Sequence, residues 1–196
     1  LALRDAPRSN FVAVCDADRE RADAFAAEFA VEAHTGVGDM VDSARVDAVS
    51  VATPHPLHAP VVVEAVQHGA HALVEKPLAS SLADCDRMIE SAKKAGRKLS
   101  VISQRRLYEP ARRVKDAIDA GKIGRPVLGV MLMLNWRDQA YYESDPWRGR
   151  WDTEGGGVLV NQAPHQLDLL QWFMGPVQEV KAYWGNLNHP GIEVED

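Results

Sequence analysis

Three things are scarce in this sequence: cysteine, basic surplus and long apolar runs. Each scarcity removes a class of function. The two cysteines, Cys15 and Cys85, stand far apart with no C-x-x-C pair, so neither a disulfide framework nor a thiolate metal site is expected, and both read as small core residues. Lys and Arg total 22 against 28 Asp and Glu, a net charge of -6. The densest basic run is Arg112, Arg113 and Lys115, too short to neutralise a row of phosphates, so nucleic acid and anionic membranes are not expected partners. No apolar stretch approaches the roughly 20 residues that span a bilayer, and no charged segment followed by an apolar one opens the chain. The expectation is a soluble, cytoplasmic protein. No G-x-G-x-x-G occurs; Gly36-Val37-Gly38 follows no evident strand and opens no convincing helix. There are no internal repeats and no low-complexity segment.

What is present suits a packed core. The chain has 196 residues, 46% apolar and 26% charged, enough for one domain and part of a second. Phe11 to Cys15 reads as a strand, followed by a helix over Asp18 to Phe29 with Asp18 as its N-cap and Ala22, Phe25, Ala26 and Phe29 at helical spacing. Val46 to Ala52 is the next apolar run, and Leu57 to His68 a helix closed by Gly69. Ala70 to Val74 and Lys98 to Ser103 give two more strands around a helix from Ser81 to Ala95. The strands are continuous apolar runs, the mark of a sheet covered on both faces. Strand-helix alternation of this kind predicts a parallel, doubly wound α/β sheet. Leu1 to Ala6 then reads as the tail of a first helix, with the phosphate-binding turn lying before residue 1.

From Tyr108 the character changes. A helix from Glu109 to Ala120 closes at Gly121, and Val127 to Trp136, too long and apolar for a loop, reads as a strand. An aromatic, irregular segment leads to Trp151, and Gly155 to Gly157 introduce a helix to about Met174, kinked at Pro164. Val177 to Leu187 has the period of a strand. The pattern predicts a second, α+β domain with an open sheet, giving a division into residues 1–106 and 107–196.

Chemistry-bearing residues gather at a few places. Asp16 ends a strand where a dinucleotide fold carries the carboxylate that accepts the ribose hydroxyls, with Arg19 following; a simple helix cap accounts for it equally well. Thr53-Pro54-His55-Pro56-Leu57-His58 sits at a strand's carboxyl end, the rim where ligands bind in open α/β sheets, although a proline-stiffened turn explains the same residues. Two histidines with no third ligand make a metal site improbable. Glu75-Lys76-Pro77 also follows a strand, and a lysine losing solvation there can serve in proton transfer, although most Glu-Lys pairs are surface residues. In GGGVLVNQAPHQLD, spacing by four places Asn161 and His165 on one helical face, with Asp168 able to orient the His165 ring. A lone helical histidine is more often structural. Trp147 and Trp151, interleaved with Arg148 and Arg150, offer a sugar-stacking wall or ordinary aromatic packing.

The ordered set VAVCD, DAVSVATPHPLHAP, ALVEKPLA, QRR-x-x-x-P, GKIGRPV and WRGRWDTEGGGVLVNQAPHQLDLLQWFMGP resembles the glucose-fructose oxidoreductase, inositol dehydrogenase and rhizopine-catabolism family (Gfo/Idh/MocA) over nearly the whole chain. The resemblance implies a Rossmann domain followed by an α+β domain. It also implies oxidation or reduction of a sugar, cyclitol or related polyol with NAD, NADP being less favoured because a carboxylate at Asp16 repels a 2'-phosphate. By that resemblance Lys76 lies beside the nicotinamide and the reacting hydroxyl, with Glu75 and Pro77 shaping its turn, and His165 is the acid/base. Asp16, Arg19, Thr53, Pro54, His58 and Arg105 face the cofactor; Trp147, Arg148, Asn161 and Asp168 line the substrate site. Many polyol dehydrogenases of the family carry Asp where this chain has Asn161, which shifts proton handling toward His165 and Lys76. Compared with the family, the chain also lacks the first strand and glycine loop and stops inside the second domain's sheet. A homo-oligomer is expected for the full-length protein. Two alternatives stand beside this: an NAD-dependent glycosidase using transient oxidation, and a catalytically silent binding or assembly module.

Overall fold

The computed structural model describes residues 2–196. The chain folds as two compact units, the first formed by residues 2–53, 57–75 and 82–100, the second by 54–56, 76–81 and 101–196.

In the first unit, α1 (Ala2–Asp5) occupies part of the expected helix tail, Leu1 lying outside the described residues. Strand β1 (Ala13–Cys15) leads into α2 (Arg19–Phe29), whose N-cap Asp18 accepts from the amides of Glu20 and Arg21 and satisfies donors that the first turn leaves open. Ala22 and Ala26 are the buried face of α2. β2 (Glu32–His34) pairs parallel to β1, and α3 (Val37–Ser43) follows. A second parallel set runs β3 (Ala48–Val51), α4 (His58–Gln67), β4 (His71–Val74), α5 (Leu82–Lys94) and β5 (Leu99–Val101), in sheet order β3-β4-β5. A parallel neighbour needs a crossover, and α2, α4 and α5 supply them. Gly69 and Gly96, at φ +95° and +66°, turn the chain out of α4 and α5. On the doubly wound order 3-2-1-4-5-6, β2 and β1 take the first two places and β3, β4 and β5 the last three. The described residues have no strand for the place between.

Two expectations for this unit are corrected. Gly36-Val37-Gly38 does follow a strand, β2, and does open a helix, with Gly36 as the N-cap of α3. It is a packing device: the Gly38 amide donates to Glu64 Oε1 at 2.8 Å, and a Cβ on Gly38 would lie 2.7 Å from the His68 ring. A carboxylate on that amide is the opposite of a phosphate cradle. The sheet is also not covered on both faces. Val49, Val51, Ala72 and Val74 are buried against a core that includes Val62, Ala65 and Val66 of α4, while Ser50 and Leu73 on the other face stay exposed.

In the second unit a 3-10 turn (Gln104–Leu107) precedes α6 (Glu109–Asp119), which packs on α9 (Pro164–Met174). Between them lie α7 (Gln139–Glu143) and α8 (Val158–Asn161). The expected single helix to Met174 is broken after Asn161, and Pro164 stands in the first turn of α9 instead of kinking a longer helix. Pro fits there because its missing N–H would have no helical partner. Val127 to Trp136 and Val177 to Leu187, expected as strands, have no ladder among the described residues. Leu134, Leu132 and Tyr183 remain open to solvent. Alternating apolar residues specify which face a strand would bury, but the strand itself exists only when its amides and carbonyls are paired.

The end of the chain closes over α8. Val158 and Leu159 donate their amides to the carbonyl and side chain of Glu195, at 3.2 and 2.9 Å, which caps that short helix. Asp196 accepts from the amides of Leu187, Asn188 and His189 and lies 2.9 Å from His189 Nδ1. Burial alone pushes its carboxyl up, but the Leu187 and Asn188 amides and His189 together outweigh burial and hold it down at about 2. A carboxyl depressed on folding contributes stability that is complete above its unfolded value near 4 and is lost as pH falls toward 2. Asp196→Asn is therefore expected to lower the thermal midpoint at pH 7, with the difference from the parent shrinking between pH 4 and 2. A difference independent of pH over that window would remove this assignment.

Candidate functional site

In the second unit, Lys76 is held at a defined place. Its Nζ donates to the Asn161 backbone carbonyl at 2.8 Å and to Asn161 Oδ1 at 3.0 Å. Asn161 is the last residue of α8, and its Nδ2 donates to Glu154 Oε1 at 2.5 Å. Glu154 is 1% exposed, and its second oxygen accepts from the Gly149 amide at 2.6 Å. The Glu154 carbonyl lies 2.9 Å from His55 Nδ1. Four residues past Asn161, His165 Nε2 stands 3.4 Å from Gln104 Nε2, a long contact in which the amide N–H donates and the ring nitrogen accepts. The other amide atom, Gln104 Oε1, is buried with no hydrogen-bond partner.

Glycines make this assembly possible. A Cβ on Gly155, at φ +84°, would lie 2.8 Å from Ser80 Cβ and 3.2 Å from Ser80 Cα, so the bare backbone presses the 151–157 loop against the 76–81 turn. At Gly157 a Cβ would collide with the Glu195 carbonyl. Only residues without a side chain permit both approaches.

The remaining expected site residues are placed as follows. Asp168 engages Arg106 through both oxygens, at 2.7 and 2.6 Å, and that hydrogen bonding raises the Arg106 pKa. The guanidinium also lies over the Trp172 ring. Arg106, next to the expected Arg105, is thus the arginine tied to α9; Arg105 contributes its carbonyl to the turn. Trp147 meets the His55 ring edge-on at 5.8 Å, and Arg148 stacks between Trp147 and Tyr141 while pairing with Asp145. Trp151 donates to the Glu193 carbonyl and packs on Trp184. These interactions favour aromatic packing over an open sugar-stacking wall.

In the first unit, Asp16 follows β1 with Oδ1 accepting from the Asp18 amide at 2.9 Å and Oδ2 3.5 Å from Arg21. Arg19 turns instead to Asp23, its i+4 neighbour. Thr53 follows β3. Its carbonyl lies 2.9 Å from Nε2 of the fully buried His58, and its hydroxyl is buried without a partner. Pro54 continues that turn, and Glu75 continues the β4 ladder through its amide to the Val51 carbonyl. An orphaned hydroxyl and a carboxylate, each at the carboxyl end of a parallel strand, fit a polar ligand rich in hydroxyls, as a dinucleotide is. No group of His, Cys, Asp and Glu able to hold a metal occurs among the described residues, and no helix there is long and apolar enough to cross a membrane.

Residues 1–103 match the family described as "Oxidoreductase family, NAD-binding Rossmann fold", and residues 111–196 match "GFO/IDH/MocA C-terminal domain". The chain belongs to the Gfo/Idh/MocA family. A relative named 1-carboxy-3-chloro-3,4-dihydroxycyclo hexa-1,5-diene dehydrogenase, from Comamonas testosteroni, is 36% identical over 91% of this chain and 45% of that protein. An inositol 2-dehydrogenase of Rubrobacter xylanophilus is 34% identical over 86% and 46%. The crystal structure of the WlbA dehydrogenase from Bordetella pertussis, in complex with NADH and UDP-GlcNAcA, superposes with a TM-score of 0.83 at 35% identity, over 96% of this chain and 58% of that one. The chain spans about half the length of the curated relatives it matches.

In the candidate site of this Gfo/Idh/MocA chain, sequence reasoning missed Glu154, Gln104 and Arg106. Glu154 had one signal, a carboxylate directly before three glycines. If the Gly155 approach holds the site together, Gly155→Ala should cost about 2 to 4 kcal/mol, from a side chain at positive φ together with a crowded contact. Gly121→Ala, also at positive φ (+68°) but with nothing within 4 Å, should cost only about 1 to 2 kcal/mol. Equal urea midpoints for the two variants would contradict the close approach.

Proposed function

We propose that the full-length protein is an NAD-dependent oxidoreductase acting on a hydroxyl of a sugar, cyclitol or related polyol, or on the corresponding ketone. The observation that carries this reading is Lys76 held on Asn161, with His165 four residues further along the chain, in a member of this family. Dehydrogenase names among the relatives support the reaction class. Asp16 and Thr53 would hold the dinucleotide, with Pro54, His58 and Glu75 shaping the rim around them. When bound, NAD supplies the hydride acceptor, or NADH the donor.

The protein's own task is the proton. An ammonium at Lys76 stabilises negative charge developing on the substrate oxygen, and two Asn161 oxygens fix where that ammonium stands. His165, once a substrate hydroxyl replaces the long Gln104 contact at Nε2, takes the hydroxyl proton in oxidation and returns it in reduction. Asn161, its amide shared between Lys76 and Glu154, acts on the substrate through Lys76, and Gln104 holds the His165 ring. Arg106 and Asp168 tie the turn before α6 to the helix that carries His165, a positioning role. Asp16 favours NAD over NADP, since a carboxylate repels a 2'-phosphate.

His165→Ala in the full-length enzyme should lower turnover by about 10²- to 10⁴-fold while leaving NAD affinity by calorimetry nearly unchanged. Full turnover in that variant would remove His165 from the chemistry. NADH accumulation with a polyol supports the dehydrogenase, whereas sugar release without it would mean redox-assisted hydrolysis. Separately, Asp16→Ser should narrow the preference for NAD over NADP in the same calorimetric measurement; an unchanged ratio would argue that Asp16 is only a helix-entry residue.

A further inference from the structure

We propose that Glu154 is a positioning residue whose buried carboxylate decides which way the Asn161 amide faces, and so where the Lys76 ammonium is held. The inference rests on the role given above to Lys76 and Asn161. An ionised carboxylate only accepts hydrogen bonds and an ammonium only donates them. Asn161 stands between the two, with Nδ2 on Glu154 at 2.5 Å and Oδ1 on Lys76 at 3.0 Å. Rotating the amide by half a turn would put its oxygen against a carboxylate and its N–H groups against a cation, so one orientation is enforced. Glu154 is itself fixed, 1% exposed and anchored by the Gly149 amide at 2.6 Å. Gly149 reaches it from φ +73°, where a Cβ would meet Ile192 at 2.7 Å.

The same geometry explains why this chain has asparagine where many polyol dehydrogenases of the family have aspartate. A carboxylate at position 161 would face the buried Glu154 with two acceptors and no proton between them. Asparagine is the side chain of that shape that donates on one side and accepts on the other. The burial that makes the arrangement specific also makes a mismatch expensive.

An exchange of partners in the full-length protein tests this. Glu154→Gln keeps the volume but, with the Gly149 amide holding its oxygen, turns an NH₂ toward Asn161. Asn161→Asp alone sets two carboxylates together. The double variant Glu154→Gln, Asn161→Asp restores the chain of donors and acceptors, the amide introduced at position 154 donating to the carboxylate introduced at position 161, and that carboxylate accepting from Lys76. Each single variant should lose roughly 10- to 100-fold in kcat with the polyol that the parent turns over, and the double should return to within about threefold of the parent. A second readout needs neither cofactor nor substrate: acetylation of Lys76 by acetic anhydride, followed by peptide mass spectrometry, should be faster in Glu154→Gln and return to the parent rate in the double. Parent-like kcat and Lys76 reactivity in Glu154→Gln would overturn the proposal. So would a double variant that stays impaired at a parent-like melting temperature, or one that neither folds nor reacts. A single variant that unfolds while the double folds and works supports it. If the parent turns over no polyol, the acetylation pattern still decides the role of Glu154, and the functional reading fails separately.

Discussion

The second unit depends on one half-buried ammonium whose hydrogen bonds must all be supplied by the protein or by what it binds. Lys76 leaves the end of β4 with only Glu75 between, and two oxygens of a single residue, Asn161, receive it. Taking a charge out of water is costly unless polar partners replace the lost solvation. That requirement propagates outward. Asn161 must end a helix so that its carbonyl is free, α8 must therefore stop there, and its exposed amides at the other end are met by Glu195 from the chain's last residues. The 151–157 loop must come close to the turn after Lys76, which the bare backbone of Gly155 allows.

The first unit was legible because its signals are local. Asp18 caps α2 and Gly69 and Gly96 close α4 and α5 where the sequence places them, since caps and positive-φ glycines act within a few residues. β2 and α3 escaped for the complementary reason. Glu32–His34 has one apolar residue in three, and α3 buries Gly38, Met40 and Val41 around a glycine that lowers helix propensity. Tertiary contact with α4, including the Gly38 amide on Glu64, makes that helix and cannot be read from its own composition. The expected strands from Val127 and from Val177 fail differently: the apolar run of the first and the alternation of the second are visible, but pairing is a property of two segments, and none among the described residues completes a ladder there.

For the candidate site, Lys76 could be singled out because a strand end is a sequence feature, but the one helical face expected for Asn161 and His165 is not found: Asn161 ends α8 and His165 lies in α9. The contacts of these residues were not legible. Asp168 looked able to orient His165 by helical spacing, yet its two oxygens are taken up by Arg106 from a 3-10 turn sixty-two residues earlier. Glu154 reaches Asn161 only because two glycines at positive φ, 155 and 156, fold the intervening loop back. Backbone reversals of that kind bring together side chains that no periodic pattern aligns.

The charges of the group also bear on which member can move a proton. An ammonium has no lone pair, so Lys76 can accept nothing until it has first given a proton away. An amide is not a useful base, and Asn161 is committed to Lys76 on one side and Glu154 on the other. Glu154 has its two oxygens occupied by Asn161 and Gly149, is closed to solvent, and touches no space into which a hydroxyl could be brought. Of these groups only His165 has an accepting nitrogen in a long contact, 3.4 Å from Gln104, that a hydroxyl can replace. On the proposed function, an aspartate at position 161 would offer a further proton acceptor, whereas asparagine with a buried glutamate behind it leaves the His165 ring as the base.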